Sequence, residues 1–210
     1  MTKGVLIVLS GPSGTGKGTV CRDLCKQNPN LYCSVSVTTR SPRPGEREGE
    51  SYYFSSEERF RELIEQDAFL EWACVYGNYY GTLRQQVEEK LSKGIDVILE
   101  IDTQGAKHIR REAKDAVFIF LLPPSMNELW QRIHGRGTDD SESIKQRFAA
   151  AYQELKEIWE YDYVVINENV TDAVKNIQAI ILAEKCRIKK DKDYLSRFFE
   201  EGETFDLSLY

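Results

Sequence analysis

Four short runs along the chain are nearly all apolar: Val5 to Leu9, Ile95 to Ile101, Ala116 to Leu122 and Tyr163 to Ile166. Runs this short, apolar on both faces and bounded by glycine or polar turns, predict strands of a parallel sheet covered on both sides. Between them apolar residues recur at three- and four-residue spacing, the period of helices that bury one stripe. Ser125 precedes a stretch carrying Met126, Leu129, Trp130 and Ile133 and predicts a capped helix there, while Gly94 predicts the end of the helix ahead of the Ile95 run. Strands and helices alternating in this way predict an α/β fold, a three-layer sandwich with a central parallel sheet and right-handed crossovers.

The pattern changes between Ser34 and Gly81, where short runs rich in Ser, Thr and Tyr are punctuated by glycine and broken by one helical stretch from about Glu57 to Gln66. This predicts an inserted mixed α/β subdomain at about residues 34–82, flanked by core segments 1–33 and 83–184. A second interruption, Gly135-Arg136-Gly137-Thr138-Asp139-Asp140, is polar and lies between two helical stretches, which predicts a short lid at about 134–146. Residues 185–210 form a C-terminal extension, basic at Lys185, Arg187, Lys189 and Lys190 and acidic at Glu200, Glu201 and Glu203. A solvated helix followed by a loose end is expected there.

With 210 residues, 41% of them hydrophobic, the chain is long enough for one domain with an ordinary core. A formal charge of −6 argues against nucleic-acid and anionic-membrane partners, so any anionic ligand must be held by local clusters. The apolar stretch before Gly11 is too short for a signal peptide or a membrane span, and a cytoplasmic protein is expected. The five cysteines form no C-x-x-C pair and no metal-ligand spacing with the two histidines, His108 and His134, and read as small thiols in a reducing compartment.

The segment Gly11-Pro12-Ser13-Gly14-Thr15-Gly16-Lys17-Gly18-Thr19 follows a predicted buried strand and opens a predicted helix, the setting a phosphate-binding loop requires. Its glycines let successive amides face a phosphate, the helix end adds positive potential, and Lys17 reaches the outer phosphates. The residue after Lys17 is Gly18, with the hydroxyl one place later at Thr19, a form also like that of adenylate kinases; no residue is identified as a direct metal ligand. Asp102, just past the Ile95 run, is placed where a carboxylate would face the nucleotide crevice.

Arg40 and Arg43 with the surrounding hydroxyls suit a phosphate monoester, because guanidinium forks bind its oxygens in pairs. The run from Ser34 to Glu46 (S-x-S-V-T-T-R-S-P-R-P-G-E) is followed by Gly49-Glu50-Ser51-Tyr52-Tyr53-Phe54, Phe69-Leu70-Glu71-Trp72 and Gly77-Asn78-Tyr79-Tyr80-Gly81-Thr82. These, with the phosphate loop, Glu100-Ile101-Asp102-Thr103-Gln104-Gly105 and the Gly135-Arg136-Gly137 lid, closely resemble guanylate kinases over nearly all of residues 5–167.

The resemblance implies transfer of the terminal phosphoryl group of ATP, with Mg2+, onto GMP. It implies that Ser36, Arg40, Arg43, Tyr52 and Tyr80 hold the GMP phosphate, that Glu71, Thr82 and Asp102 surround the guanine, and that Asn167 touches the ATP adenine. Lys17, Arg40, Arg132, Arg136 and Arg147 would neutralise the migrating charge. Guanine independently favours a carboxylate such as Glu71, since its N1–H and exocyclic amine lie side by side whereas adenine offers a lone pair at N1. A signalling GTPase is excluded by the lack of an Asn-Lys-x-Asp motif. Two other readings stand beside the kinase: a protein-binding scaffold of the same fold, which typically has a degraded phosphate loop, and a kinase for another nucleoside monophosphate.

Overall fold

The computed structural model describes residues 3–75, 77–135, 141–188 and 192–203, without the side chains of 141–144 and 192–194. In the central sheet β1 (Leu6–Ser10) lies between β7 (Asp96–Glu100) and β8 (Val117–Leu122), with β2 (Leu31–Cys33) and β9 (Tyr163–Ile166) outermost. All four pairings are parallel. β1, β7, β8 and β9 fall within a residue of the apolar runs at each end, β2 is a short edge strand that no run announces, and no residue of β1 is exposed.

Alternate residues of β1 enter different cores. Ile7 and Leu9 pack with Val20, Leu24, Val174 and Ile177 of α1 (Lys17–Gln27) and α7 (Val170–Lys185), on one face. Leu6 and Val8 pack with Val87, Leu91 and Ile109 of α3 (Arg84–Ser92) and α4 (Thr103–Glu112), on the other. This is the three-layer arrangement that unalternating strands demand. Gly94 closes the α3 turn at φ 74° with its amide on Leu91 O at 3.0 Å. Asp96 interrupts an apolar run yet is buried, because Oδ1 accepts from the Val5 amide at 3.0 Å and Oδ2 pairs with Lys185.

A smaller sheet is inserted after β2. Its strands run in the order β4 (Tyr53–Phe54), β3 (Val37–Thr38), β6 (Asn78–Leu83) and β5 (Phe69–Val75), with β3 and β4 parallel and the remaining pairs antiparallel. α2 (Glu57–Glu65), capped by Ser56, covers it and drives Phe60 between Phe69 and Tyr79, at ring distances of 4.5 and 5.4 Å.

Beyond β8, α5 (Met126–His134) starts at Ser125 as the pattern predicts and packs Leu129 and Ile133 on Ala151 of α6 (Ser141–Leu155). The stretch between these helices, Arg136 included, lies outside the described residues. α8 (Lys192–Glu203) is helical with Phe198 and Phe199 exposed, and 204–210 lie outside the described residues. No helix among the described residues is long and apolar enough to cross a membrane.

Phe60 is fully buried and, with Val37 and Phe69, makes up the buried centre of the subdomain's core. Phe60→Ala should therefore cost about 3–5 kcal/mol. Hydrogen exchange checks this: amides of β3, β5 and β6 should lose protection while those of β1, β7 and β8 keep theirs.

Candidate active site

β1 ends at Ser10 and α1 begins at Lys17, so the six intervening residues must reverse the chain over the end of the sheet. Gly14 and Gly16 take φ values of 93° and 91°, which a side chain would strain. Gly16 caps α1 without any side-chain hydrogen bond, and the Thr19 amide turns back onto Gly16 O at 3.1 Å, so no side-chain cap covers the start of α1, where the helix dipole favours an anion. The loop is braced from within and behind. Thr15 Oγ1 donates to Pro12 O at 3.0 Å, and buried Asn167 donates through Nδ2 to Thr15 O at 2.8 Å. Lys17 Nζ rests on Gly11 O at 2.5 Å and Pro12 O at 3.1 Å. A Cβ on Gly18 would stand 3.2 Å from Glu100 Oε1, so the space beside Gly18 is bordered by a carboxylate.

The loop forms one wall of a cleft of about 650 Å3 whose opposite wall belongs to the inserted sheet. Ser36, Arg43, Tyr52, Glu71, Tyr80 and Asp102 line it together with Gly11, Ser13, Gly14, Gly16, Lys17, Gly18 and Thr19. Arg40, Thr82, Arg132 and Asn167 do not line it. Arg40 lies 5.3 Å from the Tyr52 ring centre, and Tyr52 meets Tyr80 edge-on at 6.0 Å. Burial pushes the Tyr52 hydroxyl up to about 12, so it stays a neutral donor.

Glu71 sits at the floor, paired across β5 and β6 with Thr82, whose hydroxyl donates to Oε1 at 2.6 Å. Burial pushes the Glu71 carboxyl up to about 7; the charge of Asp102 adds to this and the Thr82 bond opposes it. Gly105 is required beside it, since any Cβ there would run into Glu71 Oε2. Asp102 caps α4, accepting from the Gly105 amide at 2.8 Å, and burial holds its carboxyl above the usual range despite that bond and Lys17.

On the third side Arg147 of α6 donates to Ser13 Oγ at 3.0 Å. Arg132 is bound to Glu128 at 2.8 Å and to Asn167 O at 3.2 Å, which ties α5 to the end of β9. The sequence reading missed Glu154, which lines the cleft, is half-buried, and accepts from the Ser13 backbone. Burial raises its carboxyl and Lys17 opposes the rise. Its spacing of two helical turns from Arg147 on α6 was the available signal. Buried Asn167 touches the loop backbone, a bracing role that no sequence spacing reveals.

A family model described as guanylate kinase matches residues 3–184. A protein named guanylate kinase from Clostridium tetani is 56% identical over 92% of each chain. Another of that name from Caldanaerobacter subterraneus is 53% identical over 95% of this chain and 97% of its own. The crystal structure of guanylate kinase from Anaplasma phagocytophilum aligns over 90% of both chains with a TM-score of 0.77 at 36% identity. On these matches, and with its phosphate loop and inserted sheet facing one cleft, the chain belongs to the guanylate kinase family.

Proposed function

We propose that the protein transfers the terminal phosphoryl group of MgATP to GMP, giving ADP and GDP, in the cytoplasm. The observation that carries this reading is one cleft with an uncapped helix end and a lysine on one wall and a buried carboxylate beneath an arginine and two tyrosines on the other. The first wall suits the donor phosphates. The second suits an acceptor with a phosphate monoester at one end and two adjacent N–H donors at the other.

The residues then divide the work. Amides from Gly14 to Thr19 and the Lys17 ammonium hold the donor phosphates, once Lys17 leaves the carbonyls of Gly11 and Pro12. Ser36, Arg40, Arg43, Tyr52 and Tyr80 hold the acceptor phosphate; Glu71, supported by Thr82 and Asp102, accepts from guanine N1–H and the exocyclic amine. Arg147, with Arg132 and Arg136 from the lid, neutralises the transferring group. The nucleophile is a phosphate oxygen with a second pKa of about 6, ionised at neutral pH, so no general base is required.

Magnesium bound with ATP would supply charge neutralisation between the phosphates. The donor set fits it: Glu100 and Asp102 offer hard oxygens near Lys17, and this ion is commonly held by one or two carboxylates, waters and substrate phosphates. No group of three or more His, Cys, Asp or Glu side chains among the described residues could hold a metal alone.

Three measurements test the assignment. A coupled ADP-release assay with MgATP should show turnover with GMP far above AMP, UMP or CMP, and none in Lys17→Ala; silence with all four acceptors from protein that binds GMP would favour the scaffold reading. Arg147→Ala should lower kcat on the order of a thousandfold with little change in the Kd of GMP. An effect confined to KM would remove Arg147 from the transfer step.

The third concerns pH. Free Glu71 titrates at about 7, and guanine needs the carboxylate form. Above that pH GMP affinity should be flat, and below it should fall towards tenfold per unit as a proton competes with the base. Glu71→Gln should bind GMP weakly and lose the break near 7, leaving only the phosphate's own titration near 6. An unchanged profile in the variant would detach Glu71 from the base.

A further inference from the structure

The loop joining β3 to β4 contains an ion pair that the division of labour above leaves unused. Glu46 closes a turn with Arg43, its amide reaching Arg43 O at 3.0 Å. Its two carboxylate oxygens receive the same amino group of Arg40, Nη2, at 2.8 and 3.0 Å. Oε2 also accepts the Arg43 amide at 2.7 Å. The other amino group of Arg40 donates to Ser41 O at 2.6 Å, and the guanidinium lies against the Tyr52 ring. Both partners are mostly covered, with side chains 13% and 20% exposed. Both amino groups of Arg40 are thus engaged before any ligand arrives.

A carboxylate here looks like a disadvantage. It offsets one of the two positive charges, Arg40 and Arg43, that an incoming phosphate would meet. Two roles with opposite consequences are possible. Glu46 either stands in for the phosphate and must be displaced, or braces Arg40 in the orientation that the phosphate needs. The geometry favours the brace. A stand-in has to leave when the ligand arrives, but Glu46 is bonded to the backbone of its own turn through Arg43 and cannot withdraw without opening it. Burial works against its charge, and the hydrogen bonds from Arg40 and the Arg43 amide outweigh that, holding its carboxyl below the usual range.

We infer that Glu46 is a positioning residue that fixes the Arg40 guanidinium for the phosphate monoester of the acceptor. The inference rests on the proposed acceptor site. An arginine fixed in advance loses less side-chain freedom on binding than one that must be ordered by its ligand. The benefit is confined to the phosphate end, since the Glu46 carboxylate is bonded to Arg40 and the Arg43 amide whereas Glu71 is held by Thr82.

That confinement supplies the test. Calorimetric Kd values for GMP and for guanosine, which lacks the phosphate, would be measured on the parent, Glu46→Gln and Glu46→Ala, with melting temperature and MgATP affinity as controls for folding. Glu46→Gln should weaken GMP about tenfold and leave guanosine within twofold. Glu46→Ala should weaken GMP at least as much; Glu46→Gln, which keeps an acceptor for the turn, carries the test if the alanine variant does not fold. Tighter GMP binding in either variant would make Glu46 a competitor and overturn the inference. Equal losses for GMP and guanosine, or no loss for either, would overturn it as well. Because the readout is binding, a parent that binds GMP without turning it over would refute the transferase reading while these ratios still decide the role of Glu46.

Discussion

An uncapped helix end held against a strand with no exposed residue is the constraint on which the site depends. The amides of the first turn of α1 have no side-chain partner at Gly16, and β1 fixes where they stand because both of its faces are packed. The sheet order then does the rest. With β7 and β8 on either side of β1, the carboxylates at the end of β7 are delivered to the same crevice as the phosphate loop. Asp102 is both the last of these and the cap of α4, and the turn it makes places Gly105 against Glu71. The close packing of Gly105 on Glu71 thus sets the floor of the acceptor wall against the core.

What the sequence makes legible follows from which forces are local. Unalternating apolar runs specify buried strands, and a glycine-rich turn between strand and helix specifies an anion site. Ser56 and Ser125 cap helices as serine does wherever a helix begins after it. Asp96 and Glu100 do not spoil the β7 run because the buried one, Asp96, finds partners, the Val5 amide and Lys185, far away in sequence. The same distance hides other features. Asn167 bonds to Thr15 across 152 positions, and Arg147 to Ser13 across 134, so neither contact exists until the sheet has formed. Glu154 and Glu46 are given no role in the sequence reading for another reason: acids near a site for anions read as solvated surface unless the groups they hold are visible.

The charge of the cleft explains why those acids matter. Among the described residues Lys17, Arg22, Arg43 and Arg147 line it, but so do Glu71, Glu100, Asp102 and Glu154, four against four. Glu71, Asp102 and Glu154 are each shifted towards their neutral forms, with burial the first cause in every case. Fully ionised, the described lining is balanced, and the upward shifts of its acids leave it a small positive excess rather than a strong field, on a chain of −6 overall. Attraction comes instead from directed donors, the loop amides and the arginine forks, which favour a phosphate oxygen at set positions. On the proposed reading, transfer would bring the negative charge of two nucleotides into this balance, and Arg40 from behind the wall, the arginines on and around the lid and the magnesium accompanying ATP would supply the further cations.

Glu71 shows how such a balance can discriminate between bases. Burying its charge with one hydroxyl partner is unfavourable, which is why its carboxyl is held up to about 7. Two N–H donors side by side would repay that cost by satisfying both oxygens, and guanine presents them. Adenine would bring a lone pair to the same place, leaving the carboxylate either charged and opposed or protonated, with only one hydrogen bond gained. The cost of desolvation is present before any ligand binds and is relieved by one base only. Selectivity then arises from the mismatch left by the wrong base more than from extra contacts with the right one, the arrangement by which buried polar groups reject analogues most strongly. Thr82 and Gly105 serve that end together: the hydroxyl fixes one oxygen of Glu71, and the missing side chain leaves room for the other.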